Sequence, residues 1–288
     1  MTVEATPGAS KQAIEAHYDL GNDFFQLWLD GSMTYTCALW AGPDDTLEAA
    51  QARKIDFLLE AAGARGAKRL LDVGCGWGGA LKRAVSHFGV ERAHGLSLSR
   101  SQSEWVPAPG VTVDIENWLD HRPDAPYDAI ISVEAFEAFA KLGLPPEEKA
   151  AVYRRFFDSC HAWLAPGGSL ALQTIAYGNA GPEDFDEFIA TEVFPESDLP
   201  TLAELGTAIS RRFEVVTLHN RRQDYARTLR EWLVRLKRER ARAVEIVGEA
   251  VVVRFERYLR LSIYMFEKGT CDLYQLHLRR IDQPRGTR

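Results

Sequence analysis

The stretch RLLDVGCGWGGA, residues 69–80, decides the fold. Arg69 to Val73 is a short apolar run, and Gly74, Gly76, Gly78 and Gly79 follow it at once. ALKRAVSHFG, which begins at Ala80, fits a helix. A strand, a glycine turn and a helix start form a ligand cradle. Glycine lets backbone approach a ligand closely, and the first helical amides lack partners within the helix. Gly74, Gly76 and Gly79 also satisfy G-x-G-x-x-G, a dinucleotide fingerprint that is weak evidence alone. Two features speak against a dinucleotide. Asp72 stands at the strand end, where a carboxylate repels a pyrophosphate. No acid stands about 20 residues on to hold a ribose, and Gly95-Leu96-Ser97 is there instead. An acid ahead of the glycines suits a ligand with a cationic amino-acid end, such as S-adenosylmethionine. The plainer alternative is a tight strand-to-helix turn with no ligand.

Apolar strands and helices alternate outward from this loop. ERAHGLSLS, VTVDI (111–115), YDAIISV (127–133) and SLALQTIA read as strands. EEKAAVYRRFFDSCHAWLAPGG reads as a helix closed by Pro166-Gly167-Gly168. This alternation implies an α/β fold, a parallel sheet covered on both faces with its ligand at the strand carboxyl ends. FEVVTLHN fits a strand and residues 227–265 a long helical region. TCDLYQLHLRR reads as a last strand, placed at the edge of the same sheet. Before the glycine loop, a Gly21-Asn22-Asp23 break in IEAHYDLGNDFFQLWLD is placed to cap a helix. LEAAQARKIDFLLEAAG puts Leu47, Ala50, Lys54, Phe57 and Leu58 at helical spacing and stops at Gly63.

Composition narrows the function classes. The chain has 288 residues, 46% apolar and 26% charged, which is ordinary for a globular domain. Acids outnumber bases 41 to 34, which argues against nucleic acid as the main partner. The four cysteines, Cys37, Cys75, Cys160 and Cys271, form no C-x-x-C pair, so no zinc cluster is expected. No histidine pair has metal-ligand spacing, and no metal is predicted. No uninterrupted apolar run of about 18 residues is present, and MTVEATPGASKQ lacks the pattern of a secretion signal. A cytoplasmic protein is the expectation.

At this point the residues carry a family resemblance. LLDVGCGWGG looks like the first motif of S-adenosylmethionine-dependent methyltransferases. More narrowly, the chain resembles the cyclopropane fatty acid synthase and mycolic acid cyclopropane synthase family. The matching pieces run in order: HYDLGNDFFQLWLDGSMTYTCALW, EAAQARKIDFLL, LLDVGCGWGG, GLSLSRSQ, VEAFEAF, LAPGGSL, TEVFPESDLP, DYARTLREW and FERYLRL. They cover most of the chain. The resemblance implies a Rossmann-like class I methyltransferase with a seven-stranded, mostly parallel sheet, a helical N-terminal cap and insertions. Its expected division is residues 1–12 disordered, 13–65 cap, 66–176 cofactor-binding core, 177–200 a lid-like insertion, and 201–288 the remaining sheet and helices.

The resemblance also assigns residues. Tyr35 and Thr36 in YTC would meet the methionine end of S-adenosylmethionine, beside Asp72, Gly74 and Gly76. Ser97 and Gln102 take the places of ribose and adenine contacts, and Trp118 that of a tryptophan near the adenine. In the synthases a bicarbonate takes up a proton, held by backbone of a Cys and an Ile and by Glu, His and Tyr side chains. Cys37, Glu137, Ile175 and Tyr225 match those places, but Gln173 replaces the histidine. Gln donates a hydrogen bond yet carries no charge, so bicarbonate binding is expected to weaken or vanish. Glu134 resembles the mycolic acid branch, whereas Ala138 replaces a second histidine. The segment SEWVPAPGVTVDI is shorter than its family counterpart, as is the chain after QTIA.

These departures favour a carbon- or nitrogen-methyltransferase for a compact hydrophobic small molecule, with Glu137 as the proton-accepting or cation-stabilising group. Cyclopropanation or methylation of an unsaturated fatty acyl chain is the alternative, and a non-catalytic binder of the cofactor is a third reading. Residues 221–243 hold nine Lys or Arg against three acids. Leu229, Trp232, Leu233 and Leu236 recur there at helical spacing. That stretch reads either as an outer helix packed by its apolar stripe or as a peripheral contact for anionic lipid.

Overall fold

The structure, a computed structural model, describes residues 8–10, 20–106, 108–184, 188, 193 and 196–283. Its strands are Arg69–Val73 (β1), Arg92–Ser97 (β2), Val111–Ile115 (β3), Tyr127–Val133 (β4), Leu164–Tyr177 (β5), Phe213–Asn220 (β6) and Cys271–Arg280 (β7). They form one seven-stranded sheet in the order β3-β2-β1-β4-β5-β7-β6. Pairing is parallel from β3 through β5. β7 runs antiparallel to both β5 and β6. The strand order reverses between β1 and β4, and the crevice that opens at such a reversal is where this architecture binds ligands.

The edge assignment of the last strand is corrected. β7 lies inside the sheet, and β6 forms the edge. Burial accompanies the exchange: Leu273, Leu276 and Leu278 of β7 are buried, while β6 keeps only Phe213 inside and leaves Val215, Val216 and Leu218 exposed. An apolar strand is worth more between neighbours than at a wet edge.

The helices are Asn22–Gln26 (α1), Leu47–Ala61 (α2), Gly79–Phe88 (α3), Arg100–Ser103 (α4), Pro146–Trp163 (α5), Leu202–Ile209 (α6), Arg222–Arg238 (α7), Arg240–Val247 (α8) and Glu249–Lys268 (α9). The single helical region expected over 227–265 is therefore three helices, broken at Glu239 and Gly248. α5 ends at Trp163, and β5 starts before the Pro-Gly-Gly turn rather than after it. The Gly21-Asn22-Asp23 break does start a helix, but Gly21 is its cap residue and no side chain caps it. Asn22 instead accepts a hydrogen bond from Trp77 Nε1 at 2.7 Å and donates to the Ser101 carbonyl. The cap is thus tied to the glycine loop.

Apolar clusters pack both faces of the sheet, and a third joins α1 to α7 and α9. Aromatic rings build that third cluster. Trp28 and Tyr35 lie 5.2 Å apart, Tyr35 and Trp232 5.2 Å, and Phe24 and Phe255 5.0 Å. Leu229, Trp232 and Leu236 are buried, as the stripe predicts. The arginines of α7 have internal partners. Arg227 donates to the Gly42 and Pro43 carbonyls, Arg235 pairs with Glu48 and Glu231, and Arg230 pairs with Glu267.

Candidate active site

β1 carries Asp72 to the crevice, and the glycine turn follows. Gly74 has φ 86°, and a Cβ there would lie 2.3 Å from the Ala135 Cβ. Only glycine lets this turn close against the segment that leaves β4. Gly76, at φ 51°, is different: a Cβ there would meet nothing nearer than Gln102 Nε2 at 4.0 Å. Its open side faces a cavity of about 330 Å³ over the strand tips.

Tyr35, Thr36, Asp72, Gly74, Gly76, Ser97, Gln102 and Trp118 all line this cavity, and so do Glu137, Ile175 and Tyr225. Cys37 and Gln173 do not; they stand behind its wall. Sequence reasoning gave no role to Gln51 and Lys54. Both are buried on α2, where Gln51 donates to the Thr34 and Thr36 carbonyls and Lys54 to Thr36 Oγ1 at 2.7 Å. The available signal was a polar residue at an apolar position of the helical pattern. Burial lowers the Lys54 pKa, against the pull of Glu134 and Asp72 among its neighbours.

The cradle suits a cationic ligand. Asp72 is 2% exposed, and its Oδ1 is buried without a hydrogen-bond partner among the described residues. Burial pushes its carboxyl up to about 7, against the opposing charge of Lys54. A buried acceptor without a donor is costly, and an ammonium group would supply Asp72 Oδ1 with one. Ser97 Oγ lies 3.5 Å from Gln102 Oε1. The Trp118 indole packs on Phe139 and Phe156 at 5.1 and 5.5 Å. These hydroxyl, amide and indole groups fit the ribose and adenine of S-adenosylmethionine, as Asp72 fits its amino group.

A carboxylate pair faces the other end of the cavity. Glu134 leaves β4 with φ 53°. Its Oε1 accepts from the Cys37 amide at 2.9 Å and from Gln173 Nε2 at 2.6 Å, and its Oε2 accepts from the Tyr225 hydroxyl. Gln173 is held in turn: Gln275 Nε2 donates to its Oε1 at 2.7 Å, and Arg221 Nε donates to Gln275 Oε1. Glu137 Oε1 accepts from the Ile175 amide and from Thr174 Oγ1 at 2.9 Å. Among the described residues, Glu137 Oε2 is buried with no partner. Burial, and then the charge of Glu134, push Glu137 up to about 8. Burial also raises Glu134, while its hydrogen-bond donors pull it back. The Cys37 thiol and the Tyr225 phenol are raised by burial and stay protonated. The donors that the resemblance assigned to bicarbonate are thus engaged by the protein's own carboxylates.

The insertion after β5 borders the same cavity. Tyr177 N–H donates to the Pro200 carbonyl, which closes the base of the loop. Asp198 N–H bonds to the Glu137 and Ala140 carbonyls, and Lys149 pairs with Asp198 at 2.8 Å. Val193, Ser197 and Leu199 line the cavity. The middle of the expected lid, residues 185–187, 189–192 and 194–195, lies outside the described residues, as does His17. Among the described residues, no group of three or more His, Cys, Asp or Glu is placed to hold a metal ion. Nor is any of their helices long and apolar enough to cross a membrane.

Comparison with known proteins meets this geometry. The profile described as mycolic acid cyclopropane synthetase matches residues 6–276. The chain belongs to that family. Cyclopropane mycolic acid synthase 1 of Mycobacterium tuberculosis (strain ATCC 25177 / H37Ra) is 34% identical, over 91% of this chain and 94% of that protein. The solved mycolic acid cyclopropane synthase CmaA1, complexed with SAH and CTAB, superposes with a TM-score of 0.85. It is 32% identical and covers 95% of this chain and 99% of its own. Coclaurine N-methyltransferase shares the fold, with a TM-score of 0.79 at 18% identity over 96% of this chain and 84% of its own. This member of the synthetase family is accordingly an S-adenosylmethionine-dependent enzyme of the methyltransferase class, cyclopropane synthase-like, on a Rossmann-like sheet.

Proposed function

We propose that this enzyme transfers a methyl group to carbon or nitrogen of a compact hydrophobic small molecule. Asp72, Gly74 and Gly76, with Tyr35 and Thr36, would hold the amino-acid end of the donor. Ser97, Gln102 and Trp118 would hold its nucleoside end. Bound there, S-adenosylmethionine supplies a methyl group activated by a positively charged sulfur. The chain's own part is to align the two partners in a dry cleft and to meet the positive charge that passes to the acceptor. Glu134, Glu137 and the Tyr225 ring face that end.

The observation that carries the reading is one cavity serving both ends. At about 330 Å³ it must take donor and acceptor together. Single small-molecule ligands already fill pockets of roughly 300–1,000 Å³, so a cavity at the low end of that range favours a compact acceptor over a long one. The acceptor reaches it from solution in this reading, because the α7 arginines serve internal partners. The second reading, modification of an unsaturated fatty acyl chain, draws on the apolar wall of Leu229, Tyr258, Met265 and Phe266 and on the names of the relatives. Incubation with methyl-labelled donor and two acceptor panels tests the choice. Label in compact amines or alkenes is expected; label only in long unsaturated acyl lipids overturns it.

A further inference from the structure

Among the described residues, the donors matched to a bound anion beside Glu137 are already engaged. The Cys37 amide, the Gln173 side chain and the Tyr225 hydroxyl all donate to the Glu134 carboxylate. The Ile175 amide donates to Glu137. We propose that Glu134 is the built-in proton acceptor of the reaction, a carboxylate of the chain standing where a dissolved anion would otherwise be needed. The proposal rests on the methyl-transfer reading above and adds the identity of the base.

Four features support it. Glu134, like Glu137, lines the cavity. The Glu134 backbone is held at φ 53°, a left-handed conformation that a non-glycine residue adopts at a cost. Glu134 N–H donates to the Gln173 carbonyl at 2.8 Å, which fixes the residue in that conformation. The chain Arg221–Gln275–Gln173 aims an amide N–H at Glu134, a task that suits glutamine better than a ring able to take a charge.

The step balances. Methyl transfer leaves one positive charge on the acceptor. A C–H or N–H bond of the methylated acceptor then breaks, and its electron pair stays on the acceptor and cancels that charge. The proton passes to a Glu134 oxygen, forming an O–H bond on a neutral acid, and leaves to water when product departs.

The enzyme as it exists gives the first test. Turnover in buffer stripped of carbon dioxide should equal turnover with added bicarbonate; a rate that climbs with bicarbonate overturns the proposal. Glu134→Gly suits the left-handed backbone and bares the three donors. It should lose about 10²–10⁴-fold in turnover, the usual share of a general base, and recover at least about tenfold with formate or bicarbonate. Calorimetry without acceptor should show saturable formate binding to Glu134→Gly and none to the parent. Glu134→Gln keeps the space filled, and should lose turnover without rescue. Full activity of Glu134→Gln, or an inactive Glu134→Gly that binds formate yet is not rescued, overturns the assignment. S-adenosylhomocysteine binding, measured on each variant, separates the outcomes. Its loss from the parent sinks the methyl-transfer reading, whereas its retention beside an unrescued Glu134→Gly sinks only the base.

Discussion

Glu137 is kept protonated by burial and, after that, by the charge of its neighbour Glu134. Glu137 rises to about 8, first through burial and then through the charge of Glu134 beside it. Three donors hold the Glu134 carboxylate, whereas Glu137 Oε2 has none among the described residues. Raised to about 8, Glu137 holds its proton near neutral pH.

This division predicts a stability signature. In the unfolded chain Glu137 ionises near its ordinary 4.5, while in the folded state it holds its proton up to about 8. A group raised in this way contributes stability that is complete below the unfolded value and is lost as pH rises through the folded one. The parent should therefore lose ground to Glu137→Gln between about pH 5 and pH 8. The Tm gap should widen by several degrees, since about 1 kcal/mol moves Tm about 2–4 °C in a domain near this size. Scanning fluorimetry at several pH values checks it. A gap that stays constant with pH contradicts the protonated state.

Asp72 should show opposite effects on stability and binding. Its unpaired buried carboxylate burdens the ligand-free protein, so Asp72→Asn should raise the ligand-free Tm at pH 8. The same change removes a charged hydrogen bond to the donor's amino group. Calorimetry with S-adenosylhomocysteine should show affinity down by about 10–100-fold. Equal affinity in both proteins would remove Asp72 from the cradle.

The two loop glycines should fail differently. At Gly74 a Cβ collides with Ala135 at 2.3 Å, so Gly74→Ala should reduce folded yield. At Gly76 a Cβ meets nothing nearer than 4.0 Å, so Gly76→Ala should lose only the roughly 1–2 kcal/mol of its left-handed backbone, still fold, and bind S-adenosylhomocysteine poorly. Circular dichroism and calorimetry on both variants distinguish them. Normal donor affinity in Gly76→Ala would place the donor elsewhere.

Much of the site was legible because the strand-glycine-helix turn, the burial of apolar strands and the cap motifs are local. Arg69 to Val73, Val111 to Ile115, Tyr127 to Val133 and Phe213 to Asn220 are strands with the bounds their apolar runs suggested. What escaped was set at long range. β7 takes an interior place, where its leucines are buried, a choice between strands that no single run encodes. Asn22, suited by type to cap α1, is recruited by Trp77 across the chain. Glu134 looked like an ordinary family position. Its part emerges only where Cys37, Gln173 and Tyr225, distant in sequence, converge on it.

The basic helix gives a negative prediction. Arg227, Arg230 and Arg235 of α7 are held by carbonyls and carboxylates, which leaves them less free to meet lipid headgroups. Sedimentation with anionic vesicles at low and high salt should leave the protein in the supernatant in both. Binding that salt reverses would reinstate the membrane contact.

A crystal structure with bound S-adenosylhomocysteine tests the central claim most directly. The distance from its amino nitrogen to Asp72 Oδ1 should fall within about 3.2 Å, with the sulfur turned toward Glu134 and Glu137. Asp72 still without a partner, and the sulfur turned away from both glutamates, would contradict the account.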